Sequence, residues 1–246
     1  MARISDVLLR AWGICHGVLA PSRNSGQFTA AREMMVETIQ ALAKTAPLPG
    51  GQEGIDPSIL AVMRQVARHE LVPENVRADA YQDRPLPLGY EQTISQPYIV
   101  ALMTQLARPA KDHVVLEVGT GSGYQAAVLS PLVAKVFSVE IIEPLATRAA
   151  ERLCALGFEN ASVRHGDGYL GWAEHGPFDS IIVTAGASHV PQPLVDQLRP
   201  GGRMVIPVGG AATSQDLMLV EKDHNGATRT CPLLPVRFVP LTGGYR

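Results

Sequence analysis

Runs of lysine and arginine are missing from this chain of 246 residues, and its formal net charge is only -2 at pH 7. Nucleic-acid binding usually leaves a basic patch, so no nucleic-acid partner is expected. Cysteine is scarce: Cys15, Cys154 and Cys231 lie far apart and form no CxxC pair. That is too few and too scattered for a disulfide framework or a zinc site, and it fits a reducing compartment. No metal is therefore expected. No stretch is apolar for long enough to span a membrane. The segment Ile4 to Ala20 carries Val7-Leu8-Leu9 and Val18-Leu19-Ala20, but Asp6, Arg10 and His16 interrupt it, which is poor for a signal-peptide core. A cytoplasmic protein with an extra N-terminal helix is the expectation, with export as the alternative. Internal repeats and low-complexity segments are also missing. What remains is 46% hydrophobic and 18% charged, the composition of a globular chain. Its length suits one large α/β domain, or at most two small ones.

Two parts can be told apart. From Thr29 to Lys44 apolar residues recur at helical spacing, and Pro47-Leu48-Pro49-Gly50-Gly51 then breaks the chain. Asp56-Pro57 is a helix start, with Asp as N-cap and Pro in the first turn, for a helix running to about His69. Pro73, Pro85, Pro87 and Gly89 imply an irregular connection. From about Lys111 short apolar strands alternate with helices. Strands are expected at His113–Val118, Lys135–Glu140, Ala161–His165, Phe178–Thr184, Arg203–Val208, Leu217–Glu221 and Leu234–Val239. Helices fit Gly123–Leu132, Glu143–Leu156 and Pro191–Leu198. Such alternation implies right-handed βαβ units and a mostly parallel seven-stranded sheet with helices on both faces. The last two strands are joined only by a turn around Asn225-Gly226, so they should form an antiparallel C-terminal hairpin. The expected division is 1–55 as an N-terminal extension with helices and 56–246 as the main domain. Within it, 56–110 supplies helices and a loop, and 111–246 the sheet core.

The most informative stretch is Val114-Val115-Leu116-Glu117-Val118-Gly119-Thr120-Gly121-Ser122-Gly123-Tyr124, an apolar strand entering a glycine-rich turn that opens a helix. Such a turn lets backbone approach a ligand closely. The spacing is GxGxG, and Tyr124 stands where a dinucleotide-binding turn wants a small residue, which argues against NAD. Glu140 ends the second strand, where a carboxylate can accept hydrogen bonds from both hydroxyls of a ribose. The third strand ends in Gly166-Asp167-Gly168, where Asp167 could accept from an adenine amino group. Singly, each acid could be a solvated strand end. Together they occur in order at the carboxyl ends of successive strands, where ligands bind in such sheets.

This order of motifs resembles the class I S-adenosylmethionine-dependent methyltransferases, which have a Rossmann-like α/β fold. The resemblance implies S-adenosyl-L-methionine as cofactor, with Gly119, Gly121 and Gly123 beside its methionine part. It also implies Glu140 on the ribose, Asp167 and Gly168 near the adenine, and Glu117 near the amino end of the methionine. A strand-end acid packed on the turn is the other reading of Glu117. Upstream, Gln92-Thr93-Ile94-Ser95-Gln96-Pro97-Tyr98 narrows the likeness to the protein-L-isoaspartate O-methyltransferases. Arg164-His165-Gly166-Asp167-Gly168, Pro200-Gly201-Gly202-Arg203 and Val236-Arg237-Phe238-Val239-Pro240-Leu241-Thr242 agree with it, from roughly Arg32 to Arg246.

The resemblance implies methyl transfer to the free carboxylate of L-isoaspartyl residues in damaged proteins and peptides. The ester then closes to a succinimide, whose hydrolysis returns some normal aspartate. Ser95 is the implied active-site residue, with Thr93 and Ile94 on the acceptor and Val239, Pro240, Leu241 and Thr242 beside its backbone. Ser95 could instead cap the helix that Pro97 begins. Nothing like a Ser-His-Asp relay accompanies it, so hydrolase chemistry has little support. Other readings are a same-fold methyltransferase acting on another carboxylate, a small molecule or RNA, a non-catalytic adenosylmethionine-binding module, and an NAD-linked oxidoreductase.

Overall fold

The computed structural model describes residues 26–45, 54–210 and 214–244, so the apolar segment at 4–20 lies outside them. Helix α1 (Thr29–Thr45) buries Met35, Val36, Ile39 and Ala43, one stripe at helical spacing. That stripe joins the same apolar cluster as α2 (Pro57–Gln65) and α3 (Pro97–Ala107). Asp56 caps α2 by accepting the Ser58 N–H at 2.7 Å. The helix ends at Gln65 instead of running to His69: Val66 is extended, and Arg68–Glu70 is a separate 3-10 turn. Arg32 of α1 donates to the Arg64 carbonyl at 3.0 Å, satisfying one of the acceptors freed at that end.

The connection taken as irregular holds a two-stranded hairpin, β1 (Leu86–Gly89) and β2 (Gln92–Ile94). Leu86 and Leu88 point inward and Pro87 and Gly89 outward, the alternation of a half-buried strand. Its turn places Tyr90 and Glu91 at φ 54° and 58°, a left-handed pair without the usual Asn-Gly signature.

The main sheet comprises β3 (Val114–Val118), β4 (Lys135–Glu140), β5 (Ala161–His165), β6 (Phe178–Val183), β7 (Leu198–Val208), β8 (Gln215–Lys222) and β9 (Thr228–Val236). Its order is β5-β4-β3-β6-β7-β8-β9, parallel through β7 and antiparallel for the last two pairings. Neighbouring residues of the central strands face opposite clusters. Val115, Val136, Ile182 and Val205 pack with α1 to α3 and with α4 (Tyr124–Leu129), and Leu153 of α5 (Glu143–Ala155) joins them. Leu116, Phe137, Ile181 and Met204 pack on the other face with Leu194 of α6 (Gln192–Asp196). A sheet covered on both sides needs apolar residues at successive positions, as these strands have.

Five strands differ in their bounds from the sequence reading, β3, β6 and β8 by one or two residues at an end and β7 and β9 by more. β7 begins at Leu198, through Pro200-Gly201-Gly202, with a register shift against β6 between Phe178 and Ser180. β9 spans Thr228–Val236 and not Leu234–Val239; it is an edge strand, where Pro232 and Pro235 are tolerated and polar residues can face outward. The helix at 123–132 is α4 extended by a 3-10 turn, Ser130–Leu132.

Ser95 does not cap α3. The N-cap is Gln96, without a side-chain capping bond of its own. The capping carboxylate comes from Asp83, which accepts the Tyr98 N–H and the Gln96 side-chain amide, both at 2.8 Å. Asp83→Ala should therefore destabilise the fold by about 1 kcal/mol, the usual cost of a lost cap, and lower the thermal midpoint by roughly 2–4 °C. Ser95→Ala should leave it unchanged. Thermal denaturation of the two variants checks this, and the opposite ranking would contradict the assignment of the cap.

Candidate active site

The strand order reverses at β3: the chain winds outward through β4 and β5, then crosses to β6 on the other side. Ligands in such sheets bind in the crevice at that reversal, beyond the carboxyl ends of the strands. One cleft lies there, and every residue singled out as a site candidate lines it except Gly123 and Asp167.

The glycine turn forms the floor. Gly119 sits at φ 95°, and a Cβ there would lie 2.5 Å from Thr184 Oγ1, so the position accepts no side chain. Thr184 Oγ1 in turn donates to the Gly119 carbonyl at 2.5 Å, tying the end of β6 to the turn after β3. Gly123 is behind the turn, at φ 86°, where a Cβ would meet Leu153 Cγ at 3.2 Å; its place is in helix packing and not on the cleft wall.

Glu140, at the tip of β4, is 5% exposed and accepts two backbone N–H groups, Gly121 at 2.7 Å and Ile142 at 3.0 Å. Glu117, on β3, is fully buried. The Ser138 hydroxyl donates to its Oε2 at 2.5 Å, and Ser138 itself is 2.5 Å from Thr120 Oγ1. The other oxygen, Oε1, has no hydrogen-bond partner. Burial pushes the Glu117 carboxyl up to about 8; the Ser138 hydroxyl and, more weakly, the Ala126 backbone N–H offset part of this, and the neighbouring Glu140 charge adds to the rise. A buried acid with one oxygen unsatisfied is costly unless a cation or donor meets it.

Asp167 stands behind Gly168. Its carboxylate accepts Tyr169 N–H and Gly244 N–H, both at 2.9 Å, and so ties the loop after β5 to the C-terminal segment. Gly168 does reach the cleft; a Cβ there would lie 2.5 Å from Val118 Cγ1.

The opposite wall is made by Thr93, Ile94 and Ser95 and by Val239–Thr242. Leu241 N–H donates to Gly186 O and Gly186 N–H to Val239 O, each at 2.8 Å, docking the C-terminal segment on the loop after β6. Gln215, 1% exposed, accepts the Phe238 N–H at 2.8 Å and donates to the Phe238 carbonyl at 3.3 Å. Beyond Ser95 and Thr93 the cleft opens into a second space of about 470 Å³, which Ile99, Pro235, Arg237 and Phe238 help to line. Sequence reasoning passed over Ser138, Thr184, Gln215 and Asp83. None stands in a motif, and each acts through a contact at least 15 residues away in the chain. Among the described residues no cluster of three or more His, Cys, Asp or Glu could hold a metal ion, and no helix is long and apolar enough to cross a membrane.

The donor set fits S-adenosyl-L-methionine. The unpartnered Glu117 Oε1 suits an ammonium, the Glu140 carboxylate suits ribose hydroxyls, and the bare glycine surfaces leave room for close approach.

Comparison with known proteins agrees with this geometry. Residues 51–246 match the family model of protein-L-isoaspartate(D-aspartate) O-methyltransferase. A protein-L-isoaspartate O-methyltransferase 2 of Syntrophobacter fumaroxidans is 59% identical over 218 residues, 89% of this chain and 88% of that one. A protein of the same name from a Polaromonas species is 58% identical over 85% of this chain and 99% of its own length. A solved protein-L-isoaspartate O-methyltransferase superposes with a TM-score of 0.76 at 29% identity, over 86% of this chain and 66% of that chain. A Plasmodium falciparum protein solved in complex with S-adenosyl-L-homocysteine shares the fold, with a TM-score of 0.70 at 24% identity, over 86% of this chain and 98% of its own. The chain belongs to the protein-L-isoaspartate(D-aspartate) O-methyltransferase family.

Proposed function

We infer that the protein is a repair methyltransferase, transferring the methyl group of S-adenosyl-L-methionine to the free carboxylate of L-isoaspartyl residues in damaged proteins and peptides. The observation that carries this reading is the meeting, in one cleft, of the glycine turn with its two acids and the Thr93–Ser95 segment facing Val239–Thr242. The cytoplasmic placement rests on the scattered cysteines, and the reading without a nucleic-acid partner on the near-neutral charge.

S-adenosyl-L-methionine supplies an electrophilic methyl group on a sulfonium. The acceptor carboxylate has an unperturbed pKa near ~4 and is ionised at neutral pH, so the chain needs no general base. Its own residues bind, orient and exclude water, effects worth up to roughly 7–11 kcal/mol. Glu117 and Glu140 are assigned to the methionine ammonium and the ribose, and Gly119, Gly121 and Gly168 to close backbone approach. Asp167, expected to accept from the adenine amino group, is assigned instead a supporting part: it ties down the loop that brings Gly168 to the adenine. Ser95 and Thr93, with the Ile94 backbone between them, hold the acceptor carboxylate, and Val239–Thr242 run beside the peptide main chain.

Two outcomes follow. An isoaspartyl peptide and its aspartyl twin have the same atoms and charge, but the carboxylate is displaced by one methylene relative to the main chain. A cleft that grips both fixes their separation, and a misplacement of about 1 Å can cost on the order of 100-fold. Methyl-ester formation should favour the isoaspartyl peptide by at least that factor in kcat/KM; equal rates would remove the repair function.

The second concerns Glu117. With its carboxyl near 8, it is mostly protonated at pH 7, and pairing with an ammonium favours the ionised form. Binding S-adenosylhomocysteine at pH 7 should release close to one proton, and the release should fade above about pH 8. Calorimetry in two buffers of different ionisation enthalpy reads it, and Glu117→Gln should abolish it. Heats independent of the buffer would take Glu117 away from the ammonium.

A further inference from the structure

Arg68 is the largest fully buried side chain outside the cleft that no step of the reaction uses. It begins the 3-10 turn after α2, and its guanidinium reaches both the Ser95 backbone and the Tyr124 ring. Nε donates to the Ala80 carbonyl at 2.7 Å and Nη2 to the Ser95 carbonyl at 2.8 Å. The guanidinium lies over the ring of Tyr124, 4.6 Å from its centroid. Tyr124 is the first residue of α4, directly after Gly123. One rigid plane thus touches both halves of the cleft: the residue assigned to the acceptor, and the helix whose N-terminus carries the cofactor turn. Asp83 holds the same stretch through Gln96 and Tyr98.

The arrangement is poorly explained by stability alone. Arg68 forms no ion pair among the described residues, and its buried Nη1 makes no well-formed hydrogen bond, only a weak one from the guanidinium to the Tyr124 side chain. Burial lowers its pKa to about 10, with Tyr124 and Asp83 opposing the fall, so it remains charged at neutral pH. A desolvated cation without a paired anion usually costs more than an apolar side chain of the same volume. What arginine supplies, and lysine cannot, is a planar fork that donates in two directions while its face stacks on an aromatic ring.

We propose that Arg68 is a positioning residue for methyl transfer, fixing Ser95 at a set distance from the glycine turn through the Ser95 carbonyl and the Tyr124 ring. The proposal rests on the reading of Ser95 as the residue that orients the acceptor carboxylate. Arg68 touches neither substrate nor cofactor; its effect on the rate passes through Ser95.

A double-mutant cycle separates the two claims. Arg68→Lys, Ser95→Ala and the double variant are compared for kcat and KM with an isoaspartyl peptide, for S-adenosylhomocysteine affinity, and for thermal midpoint. Arg68→Lys should lower kcat about 10- to 100-fold, the effect of a misplacement of up to an ångström, and leave cofactor affinity unchanged. In the Ser95→Ala background it should add almost nothing, because residues acting as a unit are not additive. Losses that multiply, or a loss of affinity in step with the thermal midpoint, would make Arg68 a general structural residue and overturn the proposal. A normal rate in Ser95→Ala sinks the reading of Ser95; a slow Ser95→Ala beside a normal Arg68→Lys sinks this inference alone. If Arg68→Lys does not fold, Arg68→Met, which removes the buried charge, carries the same readouts. Failure of both to fold would also overturn it.

Discussion

The cleft depends first on the bond from the Gly121 N–H to Glu140. It joins the tip of β4 to the glycine turn after β3, and the same carboxylate takes the Ile142 N–H that opens the path into α5. An ionised carboxylate offers about four lone-pair sites, so Glu140 can hold both backbone groups and still accept ribose hydroxyls. The turn it fixes leads into α4, and Tyr124 at the start of α4 supports the guanidinium that meets Ser95. A donor site and an acceptor site on different parts of the chain are in this way referred to one rigid point.

The two ends of the cleft are built by different physics. At the donor end, two acids share a buried space, and the structure separates them by environment. Glu140 is satisfied by backbone donors, whereas Glu117 has one oxygen without a well-formed hydrogen bond and holds its proton up to about pH 8. The cation it lacks is the one the methionine part would bring. At the end proposed for the acceptor the groups are hydroxyls and backbone, with Thr93 exposed and Ser95 half-buried beside the larger space beyond. Neutral donors suit an acceptor that arrives already ionised, since the work left is placement and the removal of water.

Much of this was legible in the sequence, because the informative features are local. The strand, glycine turn and helix around 114–129, and the acid at 140, follow from short-range pattern. The helix start at Asp56-Pro57 was equally readable. What was missed is non-local or hides behind residues with two uses. Pro87 and Gly89 read as breakers, yet they sit on the outward face of β1. The last strand was placed too late in the chain, at Leu234–Val239; it runs Thr228–Val236, at a sheet edge that tolerates Pro232 and Pro235. Ser95 looked like a cap because it precedes Gln96-Pro97; Asp83, 15 residues before Tyr98, does the capping. No periodicity reveals that Arg68 reaches Ser95 across 27 positions, or that Ser138 meets Glu117 across 21.

The central claim is that one cleft holds donor and acceptor at a fixed separation, with Glu117 at one end and Ser95 at the other. A crystal structure with S-adenosylhomocysteine and an isoaspartyl peptide bound together tests it most directly. The account predicts the ligand's ammonium within hydrogen-bond distance of Glu117 Oε1, and the peptide's free α-carboxylate on the Ser95 hydroxyl, facing the sulfur. A carboxylate bound elsewhere in the cleft, or an ammonium that leaves Glu117 unpaired, would contradict it.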